Sequence, residues 1–168
     1  MASLLIVTGP PGAGKSSVAR VLADTTEHSV LVEGDAFFGF LANGAIAPWL
    51  PESREQNTVV TRAAGCATGE FVRGGFHVVY DGVVGPWFLD EFAAATDVAE
   101  LDYAVLLPPV EVCRRRVGER AGHGFTDLDA TAHMHREFAT AAVDDRHVIR
   151  SHDGSPESLA STIQDARL

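Results

Sequence analysis

Two hydrophobic patterns alternate along the chain. Short, nearly unbroken apolar runs occur at Leu4–Val7, Ser29–Glu33, Phe76–Asp81, Glu100–Leu107 and His147–Arg150. Between them, apolar residues recur every three or four positions. Val18, Ala19, Val21 and Leu22 do so within 14–24; Val60, Ala63, Ala64, Ala67 and Phe71 within 52–73. The same spacing marks a short helix near 87–94, one from Pro109 to about Ala121, one over about 127–142 and one that opens at Ser155-Pro156-Glu157. Continuous apolar runs of this length read as strands buried on both faces, and the three-to-four spacing reads as helices with one buried side. Gly65 and Gly69 weaken the long helix without abolishing it. Thr126 and Asp129 form a capping box for the helix over 127–142. Residues 36–51, rich in aromatics, glycine and proline, read as a short helix followed by a loop.

Strands alternating with helices predict an α/β fold: a five-stranded parallel sheet covered by helices on both faces, in three layers. Ligands of such sheets bind beyond the carboxyl ends of the strands. The positions to inspect are therefore Thr8-Gly9, Gly34-Asp35, Asp81-Gly82, Leu107-Pro108 and Ser151-His152.

The first of these ends runs into Gly9-Pro10-Pro11-Gly12-Ala13-Gly14-Lys15-Ser16-Ser17, a G-x-x-x-x-G-K-S loop between a strand and a helix. That is the P-loop in its required setting. Glycines let the backbone turn sharply and approach a phosphate, and successive N–H groups then line a concavity at a helix N-terminus. Gly9, Pro11, Gly12, Ala13, Gly14, Lys15, Ser16 and Ser17 are the predicted nucleotide cradle. Lys15 would reach the β- and γ-phosphates, and the Ser16 hydroxyl would sit on Mg2+. Lys15 is also the sole lysine in a chain whose other twelve basic residues are arginine.

Asp35 stands directly after the second strand. It is either a helix N-cap or a carboxylate beside the γ-phosphate that takes a proton from, or orients, an attacking hydroxyl, and the neighbouring P-loop favours the second role. Asp81 closes the third strand, where an acid holds Mg2+, usually through water; an Asp-Gly turn is the alternative. Arg116 and Arg120, four residues apart, share a helix face and suit a lid over phosphates better than a solvated basic face would in so acidic a chain. Arg114 and Arg115 read as surface, as do His133 and His135, which point apart on their helix.

Composition narrows the partners. A formal net charge of −10 over 168 residues argues against a nucleic-acid polymer or an anionic membrane, both of which attract basic surfaces. Cys66 and Cys113 lack metal spacing and read as reduced, buried thiols of a reducing compartment. With no signal-peptide pattern and no apolar run long enough to span a bilayer, the expected location is cytoplasmic. The length suits one domain, over 1–168.

With these residues in view, the sequence resembles the small P-loop kinases that phosphorylate small molecules, of the gluconate kinase, shikimate kinase and chloramphenicol phosphotransferase type. The resemblance rests on the Walker A segment, the strand ending in Gly34-Asp35 before an aromatic stretch, and Val78-Val79-Tyr80-Asp81. It rests further on Arg116-Val117-Gly118-Glu119-Arg120-Ala121-Gly122-His123, similar to the R-x-x-x-R-x-G-H of gluconate kinases, and on the closing 148–157 segment. It implies the nucleotide-kinase-like P-loop NTPase fold with a small arginine-bearing lid at about 109–126. It also implies ATP and Mg2+ as cofactors, Asp35 as base or hydroxyl-orienting residue, and Lys15 and Arg120 as phosphate-stabilising groups. Arg116 would lie near the adenine or its phosphates, and Ser155 and Pro156 at the adenine loop.

The acceptor region falls at about 36–62 and 82–90. Phe37, Phe38 and Trp87, with Arg54 and Arg62, are the candidate substrate contacts beside Asp35, in a pocket with apolar walls and one or two anion or hydroxyl contacts. The expected reaction is transfer of the γ-phosphoryl group to a hydroxyl of a small organic molecule, antibiotic-like or sugar-like. A nucleoside or nucleotide monophosphate kinase and a nucleotide-binding regulatory module are the alternatives, and the oligomeric state stays open.

Overall fold

The computed structural model describes residues 2–119, 125–151 and 154–166. Five parallel strands form one sheet: β1 (Ser3–Thr8), β2 (Ser29–Glu33), β3 (His77–Asp81), β4 (Asp102–Leu106) and β5 (Val148–Ile149), in the order β2-β3-β1-β4-β5. The helices are α1 (Lys15–Asp24), α2 (Asp35–Phe38), α3 (Arg54–Arg73), α4 (Pro86–Thr96), α5 (Val110–Glu119), α6 (Leu128–Thr140) and α7 (Pro156–Ala166). The period of two along the strands divides the core into two halves. Val7, Val79, Ala104 and Leu106 pack with Val18, Leu22, Leu159 and Ile163 of α1 and α7. Leu4, Ile6, Val78, Tyr80, Tyr103 and Val105 pack on the other face with Ala64 of α3, Phe92 of α4 and Phe138 of α6. The five apolar runs are therefore the five strands: β1 extends one residue beyond its run at each end, β2 matches its run, and β3, β4 and β5 are shorter than theirs.

Details depart from expectation for local reasons. The N-cap of α6 is Asp127, whose carboxylate accepts from Asp129 N and Ala130 N, one position beyond Thr126. His135 is not a free surface side chain: its Nε2 donates to the Pro108 carbonyl at 2.8 Å and ties α6 to the end of β4. Gly65 and Gly69 have a packing role. They form the face of α3 on which α4 lies, and a Cβ at Gly69 would stand on the Thr96 carbonyl oxygen, while one at Gly65 would come within 2.9 Å of Ala95 Cβ and Phe92 O. Arg73 Nη1 donates to that same Thr96 carbonyl at 2.8 Å and locks the two helix ends together. Cys113 is buried in the core against the P-loop residue Ala13, and Cys66 is exposed, contrary to a buried reading for both.

Two outcomes follow. At an open helical site Gly→Ala adds about 1 kcal/mol of stability; Gly69→Ala is expected to reverse that sign and cost about 2 kcal/mol, lowering Tm by about 6 °C in a thermal melt. Burial pushes the Cys113 thiol up to about 11. A thiol reagent at neutral pH should therefore titrate Cys66 alone, with Cys113 reacting only near pH 11 or after denaturation, since the thiolate is the nucleophile.

Candidate functional site

The site is built at the carboxyl edge of the sheet. After Thr8 the chain leaves β1 and turns through Gly9, Gly12 and Gly14, all with positive φ (140°, 78° and 100°), before α1 begins at Lys15. The loop lies so close to α5 that a Cβ on Gly12 would overlap the Cys113 carbonyl. Arg116 Nη1 donates to the Gly12 and Ala13 carbonyls at 3.4 and 3.3 Å. With those carbonyls drawn backward, the N–H groups of the same turn are left facing the α1 N-terminus, where a phosphate is favoured. Lys15 Nζ reaches the Pro10 carbonyl at 3.1 Å.

Asp81 ends β3 beside this loop. Its carboxyl is raised above the usual aspartate range chiefly by burial, while a hydrogen bond from Ser16 and the Lys15 charge pull it down. Asp35 is close enough to push it up further. The candidate metal residues Ser16 and Asp81 are thus in contact. Asp35 itself is the first residue of α2, and the cap position is Gly34. Its carboxylate accepts no hydrogen bond among the described residues and borders the same cleft as Lys15 and Ser16.

That cleft encloses about 250 Å3. Pro11, Gly12, Gly14, Lys15 and Ser16 form one end. Phe38, Trp49, Val83, Trp87, Phe88 and Phe125 give it apolar walls, with Pro48 and Met134; Asp35, Asn57, Thr61 and Glu137 add polar groups. Trp49 stands edge-on to Phe125, centroids 5.1 Å apart, and Trp87 leans on Phe138 at 5.1 Å.

Two sets of hydrogen bonds hold the walls. The segment after β3 is fixed by the sheet: Val84 N donates to Thr8 Oγ1 at 3.0 Å, and Tyr103 Oη donates to Val84 O at 2.7 Å, both buried. Burial also keeps the Tyr103 hydroxyl protonated. The segment carrying Pro48 and Trp49 is fixed by side chains of α3 and the turn before it. Gln56 pairs with both N and O of Ile46 at 2.8 Å, and Asn57 Nδ2 and Ser53 Oγ donate to the Pro48 carbonyl at 2.7 and 2.9 Å.

Of the residues singled out in the sequence, Pro11, Gly12, Gly14, Lys15, Ser16, Asp35, Phe38 and Trp87 meet in this cleft. Gly9 and Ala13 are buried beneath it, and Ser17 is exposed on α1. Arg54 sits outside the lining with its guanidinium carbon 5.6 Å from the Phe88 ring centroid. Phe37 packs toward the core and against Phe40, and Arg62 is exposed on α3. Ser155 Oγ accepts from Ser158 N at 3.3 Å at the start of α7, with Pro156 at its first position, away from the cleft lining. Arg120 and the rest of 120–124 lie outside the described residues. Asn57, Thr61, Met134 and Glu137 escaped the sequence reading. On an amphipathic helix they look like ordinary boundary positions; the signal available for Asn57 and Thr61 was their spacing of four on the face that also carries Ala64.

Comparison with known proteins bears on the fold and the family. Residues 4–142 match the sequence profile of a family described as an AAA domain. A cytidylate kinase of Halobacterium salinarum is 29% identical over 119 residues, 70% of this chain, and the chain spans 58% of that protein's length. Among solved structures, the tunicamycin resistance protein of Deinococcus radiodurans superposes with a TM-score of 0.72 at 14% identity, covering 98% of this chain and 95% of that one. A sugar kinase from Janibacter sp. HTCC2649 gives 0.71 at 21% identity, covering 99% and 96%. The chain belongs to the AAA-domain family, and its architecture is that of the small P-loop kinases.

Proposed function

We propose that this protein is a Mg2+-dependent phosphotransferase that moves the γ-phosphoryl group of ATP to a hydroxyl of a small organic molecule. The observation that carries this reading is the Asp35 carboxylate, unspent on helix capping, in one cleft with Lys15 and Ser16 at the phosphate end and aromatic walls at the other. In the reaction the acceptor oxygen forms a bond to the γ-phosphorus as the bond to the β-phosphate oxygen breaks and ADP leaves. Asp35 orients the hydroxyl and takes its proton. Lys15 and the P-loop N–H groups hold the charge that moves onto the phosphate oxygens, and Arg120 would join them from the lid. Arg116, by bracing the loop carbonyls, keeps the cradle in shape before the nucleotide arrives.

The donor set fits Mg2+. That ion commonly takes one or two protein ligands and completes its shell with substrate phosphates and water. Ser16 would bind it directly and Asp81 through water. Free thiols and an acidic chain suit a cytoplasmic enzyme with no nucleic-acid or membrane partner. The likeness to a cytidylate kinase supports a second reading, a nucleotide monophosphate kinase. A regulatory module that binds nucleotide without transferring phosphate is separated from both by the role of Asp35.

Asp35→Asn is expected to lower kcat by about 10^2- to 10^4-fold while leaving the Kd for an ATP analogue within about threefold by calorimetry. Unaltered output after this substitution would identify a switch instead. Asp81→Asn should raise the Mg2+ concentration for half-maximal turnover by about tenfold or more, read from a metal titration at fixed ATP.

A further inference from the structure

Gly85 ends the segment between β3 and α4, and its own backbone does not call for glycine: φ is −68° and ψ 163°, extended values open to any residue. The reason lies two positions on. The Trp87 indole folds back over the Gly85 Cα, so a Cβ there would overlap the ring at Cε2, Cζ2 and Cη2. The same indole leans on Phe138, centroids 5.1 Å apart, and forms part of the cleft wall. The pose of that wall residue therefore depends on where the main chain at Gly85 runs.

The main chain at Gly85 is placed by the residue before it. Val84 N donates to Thr8 Oγ1 at 3.0 Å, with Gly82 O a second acceptor at 3.2 Å, and Val84 O accepts from Tyr103 Oη at 2.7 Å. Thr8, Val84 and Tyr103 are all buried, so removing one partner strands the polar group of the other. Thr8 is also the last residue of β1, and the phosphate loop begins at the next position, Gly9. The ring of Trp87 is thus referred, through two residues of backbone, to the strand end from which the phosphate loop springs. A misplacement of about 1 Å between reacting groups costs about 100-fold in rate, so such a reference bears on phosphoryl transfer. Thr8, Tyr103 and Gly85 do not themselves line the cleft.

Building on the kinase reading, we propose that Thr8, Tyr103 and Gly85 are positioning residues: through the Val84 main chain and the Trp87 ring they hold one wall of the cleft in register with the phosphate loop. The optical test uses the full chain carrying Trp49→Phe, which leaves Trp87 as the sole tryptophan. Gly85→Ala keeps both Val84 bonds and displaces the ring alone; it is expected to raise the acrylamide quenching constant of Trp87 about twofold. Thr8→Val and Tyr103→Phe shift it in the same direction, Thr8→Ser restores it, and the two losses combined give less than their sum because both release one residue. Activity is measured in the chain with Trp49 present, with ATP, Mg2+ and a panel of sugars, nucleosides, hydroxy acids and aromatic alcohols, products being read as a mass gain of one phosphoryl group. For a phosphorylated compound, Gly85→Ala, Thr8→Val and Tyr103→Phe each lower kcat/KM by about 10- to 100-fold, with the Kd for an ATP analogue within about threefold, and Thr8→Ser recovers it. Unchanged Trp87 quenching in Gly85→Ala, or unchanged kcat/KM in all three variants, overturns the inference and leaves the kinase reading standing. A wild type that binds the ATP analogue yet phosphorylates nothing on the panel overturns the kinase reading, while the quenching still decides whether these residues place Trp87.

Discussion

An anion cradle made of backbone must keep its N–H groups bare on one side while every carbonyl behind them is packed or bonded. In this protein that demand falls on the turn from Gly9 to Gly14, pressed onto the carboxyl end of β4 and the first turns of α5 so closely that side chains at Gly9 and Gly12 would strike Leu106 O and Cys113 O. Arg116 completes the backing through the Gly12 and Ala13 carbonyls. The order of elements follows from this contact. β4 must lie beside β1, as it does, and α5 must start almost at once after β4, which the Pro108-Pro109 break and the Val110 start accomplish. The burial of Cys113 belongs to the same constraint, since a larger group there would lift α5 off the loop.

Two walls of the cleft are held by different means. On one side, Thr8 of β1 and Tyr103 of β4 grip the Val84 backbone, so the segment after β3 moves with the sheet. On the other, the segment through Ile46 and Pro48 has no strand partner and hangs from Gln56, Asn57 and Ser53. Such side-chain bonds to backbone fix a loop about as well as a sheet ladder would, provided each donor is buried or doubly engaged. Ser53, 1% exposed and donating to both Pro48 O and Leu50 O, meets that condition.

What the sequence disclosed follows the same division. The strands and most helices were legible because burial on both faces leaves unbroken apolar runs, and burial on one face leaves a period near 3.6. The P-loop was legible because its chemistry is local: six or seven consecutive backbone groups do the work. Asp35 and Asp81 were found through topology, as strand ends. The acceptor wall was harder to read because it is assembled across distance. Nothing in Gly39–Leu50 announces that Trp49 faces Phe125, some 75 positions on, or that the polar face of α3 turns inward at Asn57 and Thr61. The glycines of α3 misled for a similar reason: a propensity scale counts them as weakness, and only the presence of α4 reveals them as the condition for contact.

The suspension of the segment from Ile46 to Pro48 also bears on how this protein changes over generations. A loop tied by Gln56 to its own backbone N and O, and by Asn57 and Ser53 to another backbone carbonyl, is indifferent to which side chains it carries, because the ties address the main chain alone. Substitutions at 46–50 can therefore accumulate without loosening the fold, and each presents a new surface to the cleft through position 49. The wall that carries Trp49 is thus attached through its main chain, so its side chains can change without changing the ties that hold it.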